Sequence, residues 1–90
     1  MIPDYFISVY RFSKISPTRC ALEVEKNTMF ICICKQIHTI KIKNKDIPVY
    51  RVIWDDETFI VFPVKRKYYM IEENCVNENR LDIKKIIMEV

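Results

Sequence analysis

Residues 37–64 read IHTIKIKNKDIPVYRVIWDDETFIVFPV. Apolar and polar side chains alternate with a period of two, and two polar clusters, 44–46 and 55–57, interrupt the run. That is the pattern of successive antiparallel strands joined by tight turns. A three-residue turn at 44–46 would pair Lys43 with Ile47, Lys41 with Val49 and Thr39 with Arg51. His38, Ile40 and Ile42 would then share a core face with Pro48, Tyr50, Val52 and Trp54, because directly opposed residues point to the same side of a sheet. Thr39, Lys41, Lys43 and Arg51 would form the opposite, basic face. A two-residue turn at Asp55-Asp56 extends the core face with Phe59, Val61 and Pro63, and adds Ile60 and Phe62 to the basic one.

The same periodicity runs outward in both directions. Strands are expected at about 5–12, 20–25, 29–35, 37–43, 47–54, 58–64 and 67–72. Pro17 lacks the N–H of a ladder residue, which marks 13–19 as a longer loop. Residues 72–77 read as irregular, and Asn79, three residues before Asp82, resembles a helix cap. Residues 80–90 then read as a helix with Ile83, Ile86, Ile87 and Val90 on one face and Leu81 and Met88 roughly opposite. The expected fold is a mainly β, α+β domain spanning 1–90. It is an antiparallel meander of about seven short strands forming a small sandwich or partly open barrel, capped by helix 80–90.

The 90 residues contain no glycine, where average usage would supply about six. Glycine lets a backbone approach a phosphate closely or turn at positive φ. Its absence excludes the phosphate-cradling loops of nucleotide-binding folds and the glycine-dependent nucleophile elbow. Asn and Asp tolerate the left-handed region best after glycine, and they sit at the expected turns. The amino terminus has no basic segment followed by an apolar run, and no stretch approaches the roughly 18 apolar residues of a membrane span. The expectation is a cytoplasmic protein without a membrane partner. Abundant Ile, Lys and Asn fit an A/T-rich genome, microbial or viral.

Catalytic groupings are scarce. Four cysteines, Cys20, Cys32, Cys34 and Cys75, accompany one histidine, His38. A Cys-x-Cys pair on a strand holds its sulfurs too far apart for the roughly 2.3 Å Zn–S bonds of a zinc centre. Cys32 and Cys34 therefore read as small core residues, with no metal or other cofactor expected. A three-residue turn at 26–28 would place Cys20 opposite Cys34 at disulfide distance. His38 falls on the expected core face, where it reads as a structural histidine, and the adjacent acids 55–57 and 72–73 do not converge as an acid–base couple. An enzyme is not expected.

Charge is unevenly distributed. Residues 1–54 hold nine Lys/Arg and four Asp/Glu, a balance of +5, whereas 55–90 hold six and eight, a balance of −2. Cations beside aromatics on a sheet are how single-stranded nucleic acid is held: phosphates meet the cations and bases stack on the rings. Lys41, Lys43, Arg51, Lys65, Arg66 and Lys67 are the candidate phosphate contacts, with Phe62 and Tyr69 as stacking platforms. The reading is a small non-catalytic binding module of this kind. The alternative is a protein-interaction module (a subunit, inhibitor or viral accessory protein). It would act through a strand edge or the Leu81/Met88 stripe, the latter as a homodimer contact.

Overall fold

The computed structural model describes residues 3–78 and 82–89. The elements are β1 (Ile7–Val9), β2 (Arg11–Ser16), β3 (Arg19–Glu25), β4 (Thr28–Ile42), β5 (Lys45–Trp54), β6 (Glu57–Val64), β7 (Lys67–Glu72), α1 (Glu73–Glu78) and α2 (Ile83–Glu89). The seven strands form one antiparallel sheet in the order β1-β7-β6-β5-β4-β3-β2, curled into a half-barrel. From β2 to β7 the chain is a meander, as the period-two pattern requires. β1 instead crosses to pair with β7, Val9 opposite Tyr68. β1 and β2 are separated only by Tyr10, so contiguous segments occupy the two outer edges of the sheet. The Tyr10 N–H donates to the Glu23 carbonyl at 2.8 Å, bringing β1 against β3. The curl also shows in the interior, where the Phe12 ring of β2 lies 4.9 Å from Tyr50 and 5.0 Å from Tyr68, on strands that are not its neighbours.

Both sheet faces carry a core. The inner face packs Val9, Cys20, Leu22, Cys32, Cys34, Tyr50, Val52, Phe59, Val61 and Met70. On the outer face Val49, Ile60, Phe62, Val64 and Ile71 are covered by Phe6, α1 and α2, with Ile83, Ile86 and Ile87 supplying the α2 contact. β6 lies where both cores meet, which explains its unbroken apolar run. Phe62 is fully buried, and the Phe6 ring stands edge-on to it at 5.7 Å. Burying one such side chain contributes about 1.5–3 kcal/mol.

The strands divide differently from the sequence expectation. The span 5–12 breaks into β1 and β2 at Tyr10, where the pairing partner changes. The expected loop 13–19 shrinks to a turn at Pro17-Thr18, because β2 continues through Ser16. The expected strands 29–35 and 37–43 are one strand, β4, with a bulge at Ile37. The segment read as irregular after β7 is α1. Asp82 caps α2, its carboxylate accepting from the Lys85 N–H at 3.3 Å, whereas Asn79 lies outside the described residues.

Turns do without glycine at a conformational cost. Asn27, Lys43, Asp55, Asp56 and Lys65 all adopt positive φ, between 50° and 66°. Asp55 and Asp56 form the expected two-residue hairpin turn, with Trp54 opposite Glu57. Consecutive positive φ matches the right-handed twist of the strands they join.

Candidate functional site

The β4–β5 hairpin determines where the expected basic residues go. Its turn has two residues, Lys43-Asn44, with Ile42 opposite Lys45. Lys41 therefore faces Asp46, Ile40 faces Ile47 and His38 faces Val49. Beyond the bulge Gln36 faces Tyr50, Lys35 faces Arg51 and Cys34 faces Val52. A slip of three residues, an odd number, moves Lys41 from Val49 to Asp46, and the one extra residue at the bulge shifts the pairing again, so the expected faces are rearranged.

Three corrections follow. Ile40 and Ile42 pack with the outer core rather than sharing a face with Tyr50, Val52 and Trp54. His38 is exposed beside Val49 on that outer side, not a core histidine. Lys41 and Arg51 occupy opposite faces, because Lys41 has the phase of Tyr50 and Arg51 that of Ile60. The continuous basic face of Lys41, Lys43 and Arg51 does not form.

Arg51 is also engaged. Its Nε donates to Glu73 Oε2 at 2.7 Å, tying α1 to β5 and neutralising the guanidinium. Phe62, on the outer face as expected, is enclosed by Phe6 and offers no surface to a base. Tyr69 is half-buried, with its ring 6.1 Å from Phe6. The remaining cations lie at one end of the sheet by topology. β5 begins, and β4 and β6 end, at the same end of the sheet, so Lys41, Lys43 and Lys45 share that end with Lys65, Arg66 and Lys67. All six are exposed, and among the described residues none makes an ion pair. The β5–β6 ladder stops at Tyr50–Val61, and two residues further the same register would oppose Pro48 to Pro63. Neither proline can donate a ladder hydrogen bond, so the strands part and the two basic tips are separate projections.

An aromatic that the sequence reading did not select stands at this end. Tyr10 is 62% exposed and lines a shallow concavity with Ser8, Val9, Arg66, Lys67 and Tyr68. Nothing local in the sequence distinguishes it. It projects because it is the residue at which the first strand changes partner.

The cysteines form a separate group. The 26–28 turn has two residues rather than three, Lys26-Asn27 with Glu25 opposite Thr28, and this together with a bulge in β3 between Leu22 and Glu25 sets Cys20 directly opposite Cys32 rather than Cys34. All three point to the inner face, buried and as free thiols, so the expected Cys20–Cys34 disulfide is replaced by a thiol cluster. Burial above all, then the neighbouring Cys34 sulfur, pushes the Cys20 thiol up to about 12. Burial likewise raises Cys32 and Cys34. These thiols stay protonated at neutral pH, and the thiolate is the reactive form. Among the described residues no three His, Cys, Asp or Glu side chains are grouped to hold a metal.

No protein-family model, curated protein or solved structure matches this chain. No helix among the described residues is long and apolar enough to cross a membrane.

The second surface feature is apolar. Met29, Ile31 and Ile33 of β4 and Ile53 of β5 are between 43% and 60% exposed. Ile33 faces Ile53 on one side and Arg19 on the other, and Ile31 faces Ala21. They extend the outer face beyond the part that α1 and α2 cover. At the expected helix contact Met88 is exposed, and Leu81 lies outside the described residues.

Proposed function

We propose that the protein is a small non-catalytic binding module that holds a polyanion, single-stranded nucleic acid, at its basic end. The observation that carries this reading is the pair of basic hairpin tips at one end of the sheet, six cations without an ion pair among the described residues, with the exposed Tyr10 ring beside Arg66 and Lys67 of the second tip. Lys43 and Lys65 sit at turn apices and Arg66 and Lys67 follow, so their charges reach solvent without desolvation cost. Such groups neutralise phosphates and release counterions. An exposed tyrosine stacks only on a base that is not already stacked in a duplex, which selects single strands. Relative to the residues chosen from sequence, this site keeps Lys41, Lys43, Lys65, Arg66 and Lys67. It omits Arg51, Phe62 and Tyr69 and gains Lys45 and Tyr10.

Fluorescence polarisation with labelled single- and double-stranded oligonucleotides tests this. The expected outcome is preference for single strands, with affinity falling about 20-fold between 50 and 200 mM salt if three phosphates are contacted. Lys43→Glu combined with Arg66→Glu abolishes binding, and Tyr10→Ala weakens it about tenfold. No binding at 50 mM salt overturns the reading.

A protein-interaction role is favoured by a different observation, the uncovered apolar face of Ile31, Ile33 and Ile53. Large exposed apolar side chains that are contiguous, rather than scattered, mark an interaction surface.

A further inference from the structure

We propose that the cavity between the outer face of the sheet and the two helices binds a free α-amino acid with a large apolar side chain, held as its zwitterion. This goes beyond the polyanion reading and uses none of its six cations.

The cavity has a volume of about 560 Å³. Small-molecule sites span roughly 300–1,000 Å³. Its floor is Ile40 of β4, Val49 of β5 and Ile60 of β6, and Val76 of α1 and Ile83 of α2 form its walls. Val49 and Ile60 are buried, whereas Ile40, Val76 and Ile83 are half-buried, so apolar surface remains for a ligand to cover. Ile37 and His38, where β4 bulges, line the same cavity. Bulges re-aim side chains beside binding sites.

The charged lining identifies the headgroup. Two cations, Arg51 and Lys84, and two carboxylates, Glu73 and Asp82, line this one cavity. The signs balance, so an anion or a cation alone would meet as much repulsion as attraction. A wholly apolar ligand would strip water from these charges and offer them no partner. A zwitterion keeps the balance and gives each sign a counterpart.

The Arg51–Glu73 pair shows where the two ends go. Arg51 Nε donates to Glu73 Oε2 at 2.7 Å, which holds the two side chains in contact, 48% and 27% exposed. That bond uses one of the five N–H donors of a guanidinium and one oxygen of a carboxylate. Among the described residues neither side chain makes another hydrogen bond or ion pair. The remaining Arg51 donors match a ligand carboxylate, and Glu73 Oε1 accepts from a ligand ammonium. An α-amino acid carries both groups on one carbon, so its headgroup requires adjacent anchors of opposite sign. Lys84 and Asp82 add a second anchor of each sign, Asp82 through the oxygen that does not cap α2.

Titration of the isotope-labelled full chain with L-phenylalanine, followed by amide chemical shifts, tests the proposal. The expected result is saturable binding with a Kd of about 1 mM or tighter and shifts grouped at Val49, Arg51, Glu73 and Val76. Hydrocinnamate, which lacks the ammonium, and phenethylamine, which lacks the carboxylate, each bind at least about tenfold more weakly. Glycine, without the apolar body, does not bind. Arg51→Gln weakens phenylalanine to the level of phenethylamine and leaves phenethylamine itself unweakened, a split that loss of folding would not produce. Val76→Phe, with its fold verified by circular dichroism, fills the cavity and abolishes binding, a result that does not depend on whether Arg51→Gln folds. Lys43→Glu combined with Arg66→Glu leaves phenylalanine binding unchanged, which separates this site from the basic end. Absence of saturable binding up to about 10 mM overturns the proposal. So does phenylalanine binding no tighter than its analogues or glycine, binding that survives Val76→Phe, or binding lost with the basic end.

Discussion

The two halves of β4 obey the same alternation with opposite phase. From Thr28 to Gln36 the even-numbered side chains turn inward, and Cys32 and Cys34 are buried while Ile31 and Ile33 are exposed. From His38 to Ile42 the even-numbered Ile40 and Ile42 turn outward and pack beneath the helices. Ile37, the extra residue of the bulge, makes the change. One inserted residue reassigns every side chain after it, because the period of a strand is two. The comparison also explains the two surfaces of the molecule. The first half of β4 leaves isoleucines bare on the outer face, and the second half supplies isoleucines to the outer core and carries lysines to the basic tip.

Substitutions on adjacent residues of the first half give the largest contrast. Cys34→Asp buries an unpaired carboxylate among protonated thiols and is expected to cost about 4 kcal/mol or more. Ile33→Asp, one residue away and facing out, is expected to change monomer stability by less than about 1 kcal/mol. Urea unfolding followed by Trp54 fluorescence measures both, and equal effects would mean that the faces are not as described.

Deleting Ile37 sharpens the comparison. Without the extra residue the phases of the two halves become the same, and Ile40 and Ile42 turn away from the helices. A loss of about 3 kcal/mol is expected, similar to removing a large apolar side chain from a core. An unchanged unfolding midpoint would show that the bulge does not set the phase.

Alkaline titration produces the smallest effect. Burial raises the Cys20 thiol from an ordinary value of 9.0 to about 12 in the folded chain. The folded state therefore holds this proton more tightly than the unfolded state does. The corresponding stability is fully present below pH 9 and is lost as pH rises from 9 through 12. The expected loss is about 1 kcal/mol at pH 10, read from urea midpoints between pH 7 and 10.5. Replacing Cys20 with Ala should lessen that slope, the remainder belonging to the likewise raised Cys32 and Cys34, and a slope that Cys20→Ala leaves unchanged would assign all of it to other groups.

Some of this was legible locally. The β5–β6 hairpin follows from Asp55-Asp56 and the alternation on both sides. Tyr50, Val52, Phe59 and Val61 do line one core. The α2 stripe of Ile83, Ile86 and Ile87 does pack on the sheet. The candidate basic site was legible in its turn residues and in Lys41 and Lys67 beside them, and not in Arg51, Phe62 and Tyr69 deeper in the strands. Lys43, Lys65 and Arg66 are exposed whatever the register, because turn apices project, and Lys67 follows directly on the last of them. Arg51 and Phe62 depend on which face a strand presents and on what covers that face. A carboxylate 22 residues downstream of Arg51 and a ring from before the first strand, Phe6, decided their surroundings.

Composition, alternation and turn residues by themselves determined a glycine-free antiparallel meander with a terminal apolar helix stripe and basic hairpin tips. These properties arise between residues close in the chain, where chirality, side-chain period and turn preference act directly. Only the tertiary structure decided the phase change at Ile37, the transfer of β1 to β7 at Tyr10, the burial of Phe62 and the exposure of Ile31 and Ile33. Each depends on contacts between segments distant in sequence. A one-residue shift costs little locally and reverses which face is buried, so only packing across the whole sheet can select it.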